Sequence, residues 1–274
     1  MKVSLLNTKL LKLYGSIIAV LSTIVSFVQI FYEFPEDCQI KTNVAICFVI
    51  SLVVIYIAVL VYSNNTRKVE LEINGTKIRV ITGDIFKQTG LKIIPFNEYF
   101  DTLVDDKLIS PNTLHGKYIL SYINDVNGLY NRIINDNRLR GLQTFVDNKR
   151  SYGKRIKYPL GTIYKNDDYL LLAFSKFDSD NRAYLDKSDI IKCLLNMWNE
   201  IDILYSGYSI NIPLLGTGIT RFHGVKLSEQ ELLEILLISF KLSGLTLMKN
   251  TTISIIIHRD SIDNINFFKL SEFL

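Results

Sequence analysis

Ile212-Pro213-Leu214-Leu215-Gly216-Thr217-Gly218-Ile219-Thr220-Arg221 is the stretch on which the fold turns. It closes an apolar run that starts at Tyr208 and opens onto a glycine-bearing loop ahead of a helix-forming segment. A run of this length bounded by turn residues fits a strand buried on both faces of a sheet. Glycines at the carboxyl end of such a strand let backbone N–H groups close on a diphosphate, and Arg221 can add charge-assisted bonds. Read alone, Gly216-Thr217-Gly218 fits a plain turn as well as a phosphate cradle. No Gly-Lys-Ser/Thr follows it, which argues against a P-loop NTPase, and the full dinucleotide fingerprint is absent.

Outward from this stretch, the same kind of strand recurs at Tyr169–Phe174 and Thr251–His258, with Leu91–Phe96 as a further candidate. Between them lie two helical segments. Asp186–Tyr205 sets Ile190, Leu194, Met197, Trp198 and Ile201 on one stripe, and Leu227–Leu242 opens with the capping box Ser228-x-x-Glu231. Val69–Ile73 and Lys77–Thr82 flank Asn74-Gly75, a strong hairpin signal. The β-α-β-α-β order predicts a three-layer α/β/α sandwich with a mixed sheet, parallel at its centre and antiparallel at the starting hairpin. The least periodic stretch, about 105–168, is where insertions should lie. Thr82-Gly83-Asp84-Ile85-Phe86 follows a strand and is the second nucleotide-site candidate, since ligands gather beyond the carboxyl ends of strands.

The first 62 residues have a different solvent. The chain of 274 residues is 48% hydrophobic and 21% charged, with a formal net charge of +4, and its mean hydropathy is +0.20. Those values exclude disorder and suggest that part of the chain is solvated by lipid. Residues 13–32 and 44–62 are two runs without Asp, Glu, Lys or Arg, each long enough at 1.5 Å per residue to cross a hydrocarbon core of about 30 Å. Pro35 falls between them, and the bulky Phe31-Tyr32-Glu33-Phe34-Pro35 is unlike a signal-peptide cleavage site. We expect a transmembrane helical hairpin over 1–62 and a globular domain over 63–274. Lys2, Lys9, Lys12, Arg67, Lys68, Lys77 and Arg79 flank the spans, whereas Glu33, Glu36 and Asp37 lie between them against Lys41. The positive-inside rule places both termini in the cytoplasm. Gly15 and Ala19 form a small-xxx-small pair suited to close helix packing. Cys38, Cys47 and Cys193 make no disulfide framework, His115, His223 and His258 lack metal-ligand spacing, and the scattered basic residues give no support for nucleic acid.

Gly83-Asp84-Ile85 and the Pro-x-x-Gly-Thr-Gly-Ile loop at 213–219 resemble the two ends of a macro domain's ADP-ribose cleft. The resemblance implies that Asp84 and Ile85 read adenine. It also implies that the loop from Leu215 through Gly216, Thr217, Gly218, Ile219 and Thr220, with Arg221, holds the diphosphate. Phe222 fits either a ring packed near a ribose or base or a side chain supporting the core. Ile94-Pro95-Phe96-Asn97-Glu98-Tyr99-Phe100-Asp101-Thr102 and Ser110-Pro111-Asn112-Thr113-Leu114-His115-Gly116 look like the divergent macro domain of type II Thoeris antiphage effectors. Those effectors also carry two transmembrane helices ahead of the domain, so this resemblance spans essentially the whole chain. It implies a protein of the cell inner membrane that is a sensor and not an enzyme, with no cofactor and no metal. It further implies a TIR-domain partner that consumes NAD and releases a histidine-ADP-ribose type conjugate. By the same resemblance the macro domain is expected to bind it, the protein to oligomerise and the helices to disrupt the lipid in abortive infection.

The departures from hydrolytic macro domains point the same way. Asn97 matches the first Asn of their Asn-x-x-Asn segment, but Phe100 stands at the second, and His115-Gly116 is what stands in place of the triple-glycine loop. A hydrolase needs a positioned water and an open approach to the anomeric carbon. Asn97, Asp101, His115 and Gly116 are therefore expected to bind the distal ribose or its amino acid. For His115 a loop-fastening hydrogen bond is the other reading, and Glu98 with Asp101 could form an acid/base pair. A tethered ADP-ribosyl hydrolase and a passive reader of ADP-ribosylated proteins are the alternative functions.

Overall fold

The computed structural model describes residues 3–31, 37–142, 145–224 and 226–270. They divide into two compact units, one running up to Arg67 and including the segment that starts at Asn266, the other Lys68–Ile265. Pro35 lies outside the described residues.

The first unit is built on helices α1 (Thr8–Phe31) and α2 (Cys38–Asn65). At 1.5 Å per residue they measure about 36 and 42 Å. They exceed the uncharged runs because polar caps extend them. The Asn7 side chain accepts from the Lys9 and Leu10 amides, and Asp37 accepts from Gln39 N at 2.8 Å. Both helices are long and apolar enough to cross a membrane. Their apolar side chains face outward, with Phe27 64% and Ile30 71% exposed, which a core helix of a soluble domain would not tolerate. The helices are tied at one end. The Tyr14 hydroxyl donates to the Leu52 carbonyl at 3.1 Å, its ring meets Tyr56 edge-on, and the Tyr56 hydroxyl donates to the Leu5 carbonyl. Val3, Leu10 and Val59 pack with Phe268 of the short helix Phe267–Leu270, and Lys9 Nζ donates to the Phe268 carbonyl. A Cβ at Gly15 would meet nothing within 4 Å, so the Gly15/Ala19 pair marks no close helix contact here.

The second unit opens with β1 (Lys68–Ile73) and β2 (Thr76–Thr82), antiparallel across Asn74-Gly75. Both turn residues have positive φ, 50° and 69°, as a two-residue hairpin requires. Then follow β3 (Leu91–Asn97), α3 (Leu114–Tyr122), α4 (Val126–Asn135), α5 (Asn137–Arg140), the short pair β4 (Phe145–Val146) and β5 (Ile156–Lys157), and β6 (Ile163–Asn166). The chain continues with β7 (Tyr169–Phe177), β8 (Ala183–Asp186), α6 (Lys187–Leu204), β9 (Ile210–Pro213), β10 (Arg221–His223), α7 (Glu229–Ser243) and β11 (Thr252–Ile257). The main sheet runs β1-β2-β11-β9-β3-β7-β8-β10, with β6 also on β7. Its centre is parallel, from β2 through β11, β9 and β3 to β7. β1, β6 and β8 join it antiparallel. A mixed sheet between helices is the expected three-layer α/β sandwich.

One layer centres on Phe96, Tyr118, Leu129 and Ile133, where α3 and α4 meet β3 and β7. In the other, α6 buries the expected stripe, Ile190, Leu194, Met197, Trp198 and Ile201. The Trp198 indole donates to Ser239 Oγ on α7 at 2.8 Å, so a large buried aromatic keeps its polar atom satisfied. At the β1 end of the sheet, Glu70 pairs with Lys68, Lys77 and Arg79 at 2.9–3.2 Å. The Lys68 and Lys77 ammonium groups pull the pKa of its carboxyl down to about 2.

Candidate functional site

The parallel strands β3, β9 and β11 end side by side, and beyond their carboxyl ends the second unit holds a cavity of about 460 Å³. Its walls are the end of β3, the loop after β9, the turn after β11, the 108–117 segment and the first turn of α7. Expected site residues Asn97, His115, Leu215, Gly216, Thr217, Gly218, Ile219 and Thr220 all line it.

The loop after β9 is shaped by one glycine. Gly216 has φ +86°, and a Cβ there would lie 2.6 Å from the Phe222 ring, so the backbone approaches that ring more closely than any side chain allows. Thr217 Oγ1 donates to the Leu214 carbonyl at 3.0 Å and fixes the bend. A Cβ at Gly218 would meet nothing within 4 Å. β10 then intervenes before α7, paired parallel with β8, whereas the sequence suggests a helix directly after the loop. Three residues are too few for a strand to show its period. Phe222 packs among Phe174, Leu215 and Leu232 and supports the loop from its core side. Arg221 is exposed on β10, and neither it nor Phe222 lines the cavity.

At the other wall, β3 carries a bulge at Phe96/Asn97, opposite Ala173 and Ser175 of β7. Bulges of this kind re-aim side chains beside sites. Asn97 is 1% exposed. Its Nδ2 donates to Asp101 Oδ2 at 3.0 Å and its Oδ1 accepts from the Tyr99 and Asp101 amides. Asp101 is a correction to the expected ligand set, because it is fully buried and does not line the cavity. Its carboxylate accepts from Arg150 Nη2 and the Lys154 amide, both at 2.7 Å. Burial pushes that carboxyl up while the Arg150 guanidinium pulls it back. Glu98 turns to Lys157 at 3.1 Å and to the Phe177 amide, with its carboxyl raised by burial. Neither carboxylate of the suggested acid/base pair reaches the cavity.

His115 Nε2 donates to the Asp101 carbonyl at 2.9 Å and its ring lies against Phe96. The loop-fastening bond is thus present in a residue that also lines the cavity. Burial pushes the imidazole down to about 3, so it is neutral. Gly116 lies outside the lining. A Cβ there would sit 2.2 Å from the Ser110 carbonyl oxygen, and the glycine lets the start of α3 close on the 110–111 backbone.

Gly83, Asp84 and Ile85 lie at the end of β2, one strand beyond the cavity lining. Gly83 N bonds to the Ile257 carbonyl of β11, Asp84 Oδ1 caps a 3-10 turn through Phe86 N at 3.0 Å, and Ile85 is buried. Sequence reasoning missed His258, Asp260 and Ser261 after β11, Lys117 on α3 and Glu229 on α7, all of which line the cavity. The rule that ligands gather beyond strand ends would have found the first three.

A family described as "Thoeris protein ThsA, Macro domain" matches residues 78–258. The Thoeris protein ThsA of Bacillus amyloliquefaciens is 37% identical over 264 residues, 93% of this chain and 88% of that protein. The chain belongs to the Thoeris ThsA macro family. It is thereby a protein of antiphage defence, and its globular unit is a macro domain. Among solved structures, an Oceanobacillus iheyensis macrodomain with ADP aligns at TM-score 0.48 and 15% identity over 76% of this chain and 98% of that one. A variant of the same macrodomain with ADPR aligns at TM-score 0.48 and 15% identity over 75% and 99%. In the ThsA macro domain described here, both the glycine loop and Asn97 fall within the matched residues, whereas α1 and α2 precede them.

Proposed function

We propose that this chain is the membrane-anchored sensor of a Thoeris system and that its cavity binds an ADP-ribose derivative of the histidine-conjugate type. The observation that carries the reading is the glycine loop, Gly216–Thr220, closing a cavity at the carboxyl ends of parallel strands in a macro domain. The loop's backbone amides hold the diphosphate, with Gly218 leaving room for close approach. Adenine lies toward Asp84 and Ile85 at the rim, past His258. The distal ribose lies toward Asn97 and His115. A TIR-domain enzyme that consumes NAD supplies the signal by diffusion. The spans sit in the inner membrane with both termini in the cytoplasm, and bound ligand drives oligomerisation and membrane disruption.

A reader is favoured over a hydrolase. The Asn97 amide has all its strong bonds within the protein, and Phe100, at the second Asn position, is buried against Tyr158. The second position therefore has no polar group to orient an attacking water, and the first is held by its bonds to the 99–101 turn.

The test is calorimetric titration of the full chain in detergent with ADP-ribose and with the histidine conjugate, followed by recovery of the ligand. Intact conjugate bound tightly, and weakened at least tenfold by Asp84→Ala or Gly218→Glu, is expected. Cleaved ligand would replace the sensor by an enzyme, and no binding of either compound would overturn the reading.

A further inference from the structure

The charged groups around the cavity do not suit a bare polyphosphate. Among the described residues they are Lys117, Glu229 and Asp260, two carboxylates against one lysine. The diphosphate of an ADP-ribose adds two negative charges to that acidic balance. Asp260 lies beside His258 Nδ1 at 3.3 Å with its side chain 90% exposed, so water and salt screen its charge.

Glu229 is half-buried, and one of its carboxylate oxygens is shielded from water. Its Oε2 is buried and meets no hydrogen-bond donor among the described residues. The residue is the first of α7, and the helix start accounts for an acid at that position. It does not account for a desolvated carboxylate oxygen left without a partner in a cavity wall, which is costly. The local donors go elsewhere. The Ser228 amide and hydroxyl both bond to Glu231 Oε2, at 2.8 and 2.7 Å, in the capping box.

We infer that Glu229 determines specificity in the cavity, its carboxylate receiving a positively charged donor, an ammonium or imidazolium, carried by the bound nucleotide. The inference rests on the reading of the cavity as a site for an ADP-ribose conjugate and names the group that the conjugate must present. A histidine conjugate retains either its α-ammonium or its imidazole, whichever nitrogen forms the link. ADP-ribose itself offers Glu229 only neutral hydroxyls. A cationic donor forms a charge-assisted bond, roughly twice as strong as a neutral one, and cancels the charge that would otherwise face the diphosphate. The acidic wall thus disfavours unconjugated nucleotide and favours the conjugate, which is discrimination by repulsion as well as attraction.

The experiment titrates the full chain in detergent, wild type and Glu229→Gln, with ADP-ribose and with the histidine conjugate, each with EDTA and with magnesium. Glutamine keeps the shape and removes the charge. The conjugate should lose about tenfold to a hundredfold in affinity, while ADP-ribose binds the variant as well as wild type or better. Unchanged affinity for the conjugate, or an equal loss for both compounds, would overturn the inference and leave the nucleotide reading standing. Magnesium that tightens ADP-ribose in wild type and not in the variant would make Glu229 a metal ligand and overturn it too. Failure of both compounds to bind wild type would remove the nucleotide reading itself. Glu229→Asp, which keeps the charge but draws it back by one methylene, should lose part of the preference for the conjugate. It serves as the second variant if the glutamine form fails to fold.

Discussion

At the scale of single residues, His115 shows how a side chain that lines a cavity can also serve the fold. Its imidazole is buried, donates to the Asp101 carbonyl and is held neutral, with its pKa pushed down to about 3. An unfolded chain titrates this group near its ordinary value of 6.5. Between those values the unfolded state binds a proton that the folded state refuses, so stability is full above pH 6.5 and falls as pH drops toward 3. From pH 7 to pH 5 the loss is about 2 kcal/mol. His115→Gln, which can still donate to the carbonyl, should flatten this dependence. Trp198 is the one tryptophan and lies in the core of the macro unit. Its fluorescence during urea unfolding at several pH values would report the difference, and an identical slope in both proteins would refute the assignment.

At the scale of elements, the segment from β4 to β5 is held to the end of β3 by the buried Arg150–Asp101 ion pair together with the more exposed Lys157–Glu98 pair. Arg150 reaches Asp101 with its guanidinium also over the Tyr99 ring at 3.8 Å, and it bonds to the Lys154 carbonyl and to Asn181. Removing one partner of such a pair leaves an uncompensated buried charge, so Arg150→Ala should cost about 3–5 kcal/mol in chemical denaturation. Arg150→Lys should recover only part of that, since lysine lacks the planar fork. A cost below 1 kcal/mol for the alanine variant would mean that the pair is not formed.

This segment also marks the limit of what the sequence discloses. The central strands, α6 and the α7 capping box are legible because burial on both faces, a helical stripe and a cap each leave a local pattern. The 105–168 stretch is predicted only as insertion. β4, β5 and β10 have two or three residues each, too short for any period, and their pairing is decided by distant partners. Asp101 looked like a ligand group for a related reason. Its partner Arg150 lies 49 residues away, and no local signal ties the two. The glycine loop was legible because its role is local to the backbone. Glu229 was not, because a carboxylate at a helix start has an ordinary explanation until the burial of its oxygen is seen.

At the scale of the whole molecule, two apolar helices of outward-facing side chains are joined to a macro domain by chain continuity at Arg67 and Lys68. The protein should remain in the membrane fraction through carbonate extraction, and release into the supernatant would show that the helices do not span. Ligand-driven assembly carries a quantitative requirement. Moving the protein from 1:99 to 99:1 in favour of an assembled state takes a ligand that prefers that state by about 5.5 kcal/mol. Affinity shared equally between the two states contributes nothing.

The ion-paired Glu70 cluster bears on how such an assembly can grow. An open sheet is a template for further strands, and a protein gathered on a membrane surface meets its own copies at high density. Here one end of the sheet carries Lys68, Lys77 and Arg79 around Glu70, and the other end is a strand of only three residues. Strand-by-strand fusion of neighbouring sheets, which would proceed with or without a signal, meets a charged fringe at one border and almost no backbone to pair with at the other. Crowding alone then gives these two borders little reason to join.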